Sequence, residues 1–357
     1  MSHLEINLDN IAYNYNLLQE KVAPNALCAA VIKADAYGLG AKQVMKVLQQ
    51  KACENFFVAH LDEALDLHDI SKGNLFVLHG VDNIEAAKDI YHHNIIPVLN
   101  DHHQLAIYNE YGKMLEQKLP AILNFDTGMG RLGLDVTDVQ KLNNNDFIDY
   151  AYIMSHLACA DEPQHPHNQQ QLQMLQELRR FFPNSKVSFA NSSGIFLGKD
   201  YHFDLVRPGC ALYGMNPTPG QSNPMKHVVT ANARILQRRI LEKDQYVGYG
   251  STHLAKKGSK TLIAEYGYAD GYPRALSNLG KCYAQGHYLD IIGRVSMDLV
   301  IIDASPLADH VFQTIKQVEI FGDNINIDDL ASQAKIIGYE VLTGLGRRVS
   351  RNYLDQL

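Results

Sequence analysis

The 357-residue chain has few cysteines, and none of the five (Cys28, Cys53, Cys159, Cys210, Cys282) sits in a CxxC pair. That scatter excludes a disulfide framework and a zinc knuckle. No apolar run approaches about 18 residues, so no transmembrane helix is expected. The start "MSHLEINLDNIAYNYNLLQEK" lacks a basic segment ahead of a long apolar core and does not read as a signal peptide. There is no basic excess: 32 Lys plus Arg against 39 Asp plus Glu give a net charge of −7, which argues against nucleic acid as a partner. What remains is a reduced, cytoplasmic, globular protein of ordinary composition, 46% hydrophobic and 20% charged.

Eight short apolar runs punctuate the first 210 residues: "LCAAVIK" (27–33), "NFFVAH" (55–60), "LFVLH" (75–79), "IIPVLN" (95–100), "AILNF" (121–125), "YAYIMSH" (150–156), "KVSFAN" (186–191) and "FDLVR" (203–207). Amphipathic stretches such as "GAKQVMKVLQQ" (40–50) and "NQQQLQMLQELRRFF" (168–182) separate most of them. Near-continuous apolar strands alternating with such helices mean a parallel sheet buried on both faces, and eight units suit an α/β fold of the (β/α)8 barrel type. From about residue 223 the texture changes to β-rich runs joined by turns, such as "KTLIAEYGY" (260–268) and "LVIIDA" (299–304). The expected layout is therefore a barrel over 9–222 and a C-terminal all-β domain over 223–357, with residues 1–8 packing against the latter. The boundary falls in the Pro- and Gly-rich "MNPTPGQSNPMK" (215–226).

Barrel function lives at the carboxyl ends of the strands. Those positions hold Lys33, Arg131, His156, Asn191, Ser192, Ser193 and Arg207. Any one alone reads as a solvated loop residue; together they would converge on one mouth. Lys33 ends an apolar strand, where its charged form is disfavoured and its amine becomes a usable nucleophile or base. The alternative is a lysine that snorkels to solvent. "TGMGRLG" (127–133) carries a GxGxxG spacing, but it follows the fifth strand, not the first of a doubly wound fold, so its glycines read as turn-makers around Arg131. The sixteen histidines lack an HExxH spacing, so no metal is expected, and "ANSSG" lacks the GxSxG elbow of serine hydrolases.

Seven segments carry a family resemblance: "AVIKADAYGLG", "FDTGMGRLG", "SHLACAD", "ANSSG", "VRPGCALYG", "GYADGYPR" and "GRVSMD" resemble, in order, those of the alanine racemase family. The resemblance implies pyridoxal 5'-phosphate, a small amino-acid substrate, and a head-to-tail homodimer with shared active sites. Lys33 would carry the cofactor as a Schiff base and serve as base on one face of the α-carbon. Tyr268 of the other subunit would serve the opposite face, since racemisation needs one group to remove the α-proton and another to return one. Arg207 would face the pyridine nitrogen, with His156 beside it, and Tyr37, Ser192, Gly209 and Cys210 would hold the phosphate, with Asn191 in the same loop. Arg131 and the Met297 backbone would hold the substrate carboxylate, and Asp161 and Arg294 would line the entry corridor.

Two positions depart from the family pattern. Asn124 stands where most relatives have a lysine whose carbamate positions the arginine, so a chloride near Asn124 and Arg131 is expected instead. Arg347, or its neighbour if the alignment slips by one, stands where some relatives place a tyrosine in the inner gate. The resemblance implies racemisation of L-alanine to D-alanine, which would supply cell-wall peptide or support catabolism. Competing readings are a racemase of wider specificity, a non-catalytic cofactor carrier, and a decarboxylase on the same architecture. Carriers lack the β-domain, and Cys282 lies outside any decarboxylase-like motif.

Overall fold

A computed structural model describes residues 2–142 and 146–355. The chain divides into two compact units. One comprises Ile11–Ala36 and Gly40–Lys226; the other comprises Met1–Asn10, Tyr37–Leu39 and His227–Leu357. The proline-rich stretch belongs to the first unit, because the Lys226 amide donates to Asn14 Oδ1 at 2.7 Å and Asn14 Nδ2 returns a bond to Lys226 O at 3.0 Å. Between the two units the chain passes at 226/227.

The first unit is a ring of parallel strands. Its first strand is broken at Ala29 into Leu27–Cys28 and Ala30–Val31, so eight positions are filled by nine segments. The two pieces close the ring: Leu27–Cys28 pairs with Leu205–Val206, and Ala30–Val31 pairs with Asn55–Val58. Between them run Asn74–Val77, Ile95–Leu99, Leu119–Asp126, Ile148–Met154 and Lys186–Ser188. Asn55–Val58 is buried at all four residues, as a strand covered on both faces must be. Phe57 and Phe76 stack inside at 4.5 Å, each burying side-chain surface worth roughly 1.5–3 kcal/mol.

Helices Ala41–Gln50, Ile84–His92, His102–Met114 and Pro166–Arg179 cover the ring. After the seventh and eighth strands the expected helices are replaced by single 3-10 turns at Gly194–Phe196, Lys199–Tyr201 and Cys210–Tyr213. The segment between Ser188 and Leu205 carries Gly194 and Gly198, each about 1 kcal/mol less favourable than alanine inside a helix.

In the second unit the 12-residue strand Val229–Ile240 pairs with Gln317–Phe321 along one half and Lys260–Ala264 along the other, with a register shift between Ile235 and Gln237. Through Val300–Asp303, His287–Ile292 and Lys281–Ala284 the antiparallel sheet returns on itself. His3–Asn7 extends it antiparallel to Val229–Ile240, and Ser350–Leu354 adds a parallel edge. Short helices Asp309–Thr314, Ile327–Ala334 and Gly338–Thr343 decorate this β-domain. Among the described residues no helix is long and apolar enough to cross a membrane.

Candidate active site

Three strands of the ring deliver a candidate side chain just beyond the carboxyl end. Lys33 follows Val31, His156 follows Met154, and Arg207 follows Val206 directly. After Lys33 the backbone makes a left-handed turn. Ala34, Asp35, Ala36 and Tyr37 have φ between 53° and 57°, a conformation that costs roughly 1–2 kcal/mol per non-glycine residue. Local bonds hold it: Asp35 Oδ1 accepts the Ala41 amide at 2.7 Å, and the Ala36 amide donates to Ile32 O at 2.8 Å. Glu63 accepts the Ala34 amide on one oxygen and the Ala59 and His60 amides on the other, tying the first βα loop to the second. Burial, then Arg131, push the Lys33 pKa down against a smaller upward pull from Glu63. The charged form is thereby destabilised relative to that of a free lysine.

Arg207 is buried and fixed from three sides. Its Nη1 donates to Ser188 Oγ at 2.6 Å, and its Nη2 to Ser155 O at 2.8 Å and His156 Nδ1 at 3.2 Å. The guanidinium lies 5.9 Å from the centre of the Phe57 ring. Burial and the neighbouring Arg131 bring its pKa down to about 9, so it stays charged at neutral pH. An arginine can only donate, so His156 Nδ1 must accept and Nε2 carries the hydrogen. The His156 pKa falls well below 6.5 for the same reasons: burial first, then the cations Arg207, Arg131 and Lys33.

In the next loop Ser192 Oγ accepts the Gly209 amide at 2.9 Å and the Ala211 amide at 3.2 Å. The amides on either side of Cys210 are thus drawn onto one oxygen. Asn191 braces this loop, accepting the Gly194 amide at 2.9 Å.

The "TGMGRLG" loop cannot cradle a nucleotide phosphate. Gly128, Gly130 and Gly133 all have positive φ, and the amides they expose turn onto the chain's own carboxylate. Asp126 Oδ1 accepts Gly128 N (2.8 Å) and Met129 N (2.7 Å), and Oδ2 accepts Arg131 N (3.1 Å). The loop is an anion nest already filled by Asp126. It leaves the Arg131 guanidinium exposed, within electrostatic reach of Lys33, His156 and Arg207. Asn124 is buried, and its amide nitrogen donates to Asn100 Oδ1 at 2.8 Å and Leu132 O at 3.1 Å. Both of its N–H donors are therefore taken within the chain. Asp161 is exposed.

The remaining expected site residues belong to the β-domain unit. Tyr37 packs edge-on against Tyr339 at 6.3 Å, and the adjoining Gly38 and Leu39 carbonyls accept from Arg351 Nε and Tyr353 Oη. Tyr268 and Met297 are 42% and 52% exposed on adjoining loops. The loops are zipped by Tyr268 N to Ser296 O (3.1 Å) and Ala269 N to Met297 O (3.0 Å). The Met297 carbonyl is thereby engaged. Arg294 is exposed and lies over Gly250, where an added Cβ would come within 2.8 Å of its guanidinium. Arg347 is exposed.

Asp126, Glu63 and Gln171 were passed over in the sequence. Gln171 is fully buried and joins the Arg131 loop to the His156 loop, donating to Thr127 Oγ1 and His156 O and accepting from Ala158 N. None of the three stood out in the sequence, where no spacing ties them to the residues they brace. Among the described residues no cluster of His, Cys, Asp or Glu is placed to hold a metal ion.

A parallel barrel with a partly buried lysine beyond its first strand, followed by a rolled antiparallel β-domain, defines a two-domain α/β-barrel protein. Residues 6–217 match the family model of the alanine racemase N-terminal domain, and residues 228–353 that of its C-terminal domain. An alanine racemase of Rickettsia canadensis is 43% identical over 98% of this chain and 98% of its own. A catabolic alanine racemase of Agrobacterium fabrum is also 43% identical, over 99% of this chain and 92% of its own. The crystal structure of the Bartonella henselae alanine racemase with covalently bound pyridoxal phosphate superposes with a TM-score of 0.92 at 38% identity, covering 99% of each chain. The chain belongs to the alanine racemase family and is an isomerase.

Proposed function

We propose that the chain racemises alanine with pyridoxal 5'-phosphate, using Lys33 and Tyr268 on opposite faces of the α-carbon. The observation that carries this reading is Lys33 just beyond the first barrel strand, its charged form disfavoured by burial and Arg131, with the buried, charged Arg207 just beyond the eighth. The donor set suits the cofactor: the Lys33 amine for the carbonyl carbon, a guanidinium for the ring nitrogen, and for the phosphate the Ser192 hydroxyl in the loop it ties to Gly209 and Cys210. Tyr37 completes the phosphate contacts in this reading. When bound, pyridoxal phosphate supplies the electron sink for the charge left as the α-proton departs.

The chain's own groups do the rest. Arg131 holds the substrate carboxylate through charge-assisted bonds, with the Met297 amide as second donor. Lys33 and Tyr268 each take or return one proton at the α-carbon, so the reaction runs in both directions. Arg207 stays protonated and donates to the ring nitrogen, which keeps that nitrogen unprotonated and the carbanion short-lived. Neutral His156 keeps Arg207 in line without competing for its charge.

Tyr268 is exposed within its own unit, which supports a homodimer in which the partner's barrel encloses it. A small anion such as chloride beside Arg131 would take its hydrogen bonds from that guanidinium, because the Asn124 donors are committed. Asp161 and Arg294 are assigned to the entry corridor. All five cysteines are free thiols, in keeping with work in a reducing cytoplasm, where the product D-alanine would supply cell-wall peptide.

Mixing inactive Lys33→Ala and Tyr268→Phe chains tests the shared site. Heterodimers would pair the intact lysine of one chain with the intact tyrosine of the other, restoring about a quarter of wild-type activity after random exchange. No recovery would place both bases on one chain. Chiral chromatography of an L-amino-acid panel tests the substrate: faster racemisation of L-serine or L-lysine than of L-alanine removes the assignment. Borohydride reduction and peptide mapping must find the pyridoxyl group on Lys33.

A further inference from the structure

One charged group of the β-domain has no part in that reading, yet it grips both loops that the reading uses. Arg348 donates from Nε to Asp270 Oδ1 at 2.7 Å and from Nη2 to Asp270 Oδ2 at 3.0 Å, a bidentate fork. Its Nη1 reaches Asp298 Oδ1 at 2.7 Å, and Nη2 also reaches Met297 O at 3.4 Å. Asp270 lies two residues beyond Tyr268, and Asp298 directly follows Met297. Asp270 is buried, and its Oδ2 additionally accepts the Gly267 amide at 2.8 Å, closing the turn that presents Tyr268.

Three backbone segments meet here at distances only glycine permits. A Cβ on Gly267 would fall 2.3 Å from Met297 O, and one on Gly346 would fall 2.3 Å from Ala269 O. The guanidinium is the shared centre of a packed junction between segments 267–271, 296–298 and 346–348. Without it, two carboxylates would face each other across the junction, and the buried one, Asp270, would have no cation to compensate it. Lysine could supply the charge but not the fork, because an ammonium is a point donor. Asp270 and Asp298 raise the Arg348 pKa, so the guanidinium stays charged.

We propose that Arg348 is a positioning residue for racemisation: through Asp270 and Asp298 it holds the Tyr268 phenol and the Met297 amide in one fixed relation. The proposal rests on the reading that Tyr268 acts at the α-carbon. A group held roughly 1 Å from its productive place can lose about 100-fold in rate.

The test uses holoenzyme of Arg348→Ala and Arg348→Lys with α-deuterated L- and D-alanine. The expected kcat falls by up to about 100-fold in the alanine variant and by less in the lysine variant. The primary isotope effect should grow for the enantiomer that yields its deuteron to Tyr268 and shrink for the one that yields it to Lys33, because only the tyrosine transfer has slowed. A rate loss that leaves the two isotope effects in their wild-type ratio overturns the proposal, as do wild-type rates in both variants. Should Arg348→Ala not fold, as judged by circular dichroism and elution volume, Arg348→Lys and Asp298→Asn decide the matter by the same isotope ratio. Tyr268→Phe, run alongside, separates the two ideas. If that variant racemises normally, the two-base reading falls; if it is inactive while the Arg348 isotope ratio is unmoved, only the positioning role falls.

Discussion

Replacing Asp126 by asparagine should loosen the loop that carries Arg131 without removing any group from the substrate's reach. The carboxylate accepts three main-chain amides, from Gly128, Met129 and Arg131. Asparagine keeps the oxygen shared by the first two but turns an amide nitrogen toward the Arg131 N–H, setting donor against donor. A hydrogen bond to a charged group is worth roughly 1.5–3 kcal/mol, and a neutral one about 1. One bond is lost and two are weakened, so the loop should lose about 3 kcal/mol of local stability.

Only part of that reaches substrate binding, because Arg131 still swings near its place. The expected result is a KM for alanine raised about 10-fold, equal to about 1.4 kcal/mol, with kcat changed less. The acid limb gives an independent readout. Burial raises the Asp126 pKa, but the backbone amides of Gly128, Gly130, Met129 and Arg131 together outweigh it and bring it below its usual value. A carboxylate with a lowered folded pKa contributes stability that is full above its unfolded value of about 3.9 and is lost as pH falls through the folded value. Asp126→Asn should therefore lose stability at pH 7 yet show a shallower acid decline. Urea unfolding at several pH values and steady-state kinetics check both. An unchanged KM together with a stability change under about 0.5 kcal/mol would refute the nest as the device that aims Arg131.

Two further perturbations follow from the same mouth. His156 is held neutral, so the unfolded chain binds one more proton below pH 6.5 and stability must fall as pH falls there, by about 1.4 kcal/mol per unit for this residue. His156→Gln keeps an acceptor for Arg207 and should remove that much of the slope in unfolding measured from pH 7 to 5; an unaltered slope would mean the imidazole is charged in the fold. Ala34→Gly should relieve roughly 1–2 kcal/mol of left-handed strain while adding roughly 0.5–1 of unfolded-chain freedom, leaving the melting temperature level or slightly raised. A drop worth more than about 1 kcal/mol would show that the turn does not strain the chain at Ala34.

The barrel was legible because its strands are buried on both faces and so appear as bare apolar runs, such as "NFFV" and "IIPVL". Where a strand position was interrupted, as at Ala29, the run "LCAAVIK" gave no sign, since the break is a matter of which neighbour each half bonds. The site residues at strand ends were legible for a similar reason: one polar residue closing an apolar run stands out. The groups that hold them were not. Asp126 acts through φ signs at three glycines, and the left-handed turn after Lys33 runs through four residues of which none is glycine, so local propensity points away from it. Arg348 meets Asp270 across 78 residues of chain, between two motifs that were each read for a different residue, Tyr268 and Arg347. A resemblance names the residues that touch a ligand, because their chemistry is fixed by that ligand. The residues that aim them answer only to the packing of three distant segments, so their role emerges when those segments are seen to share one guanidinium.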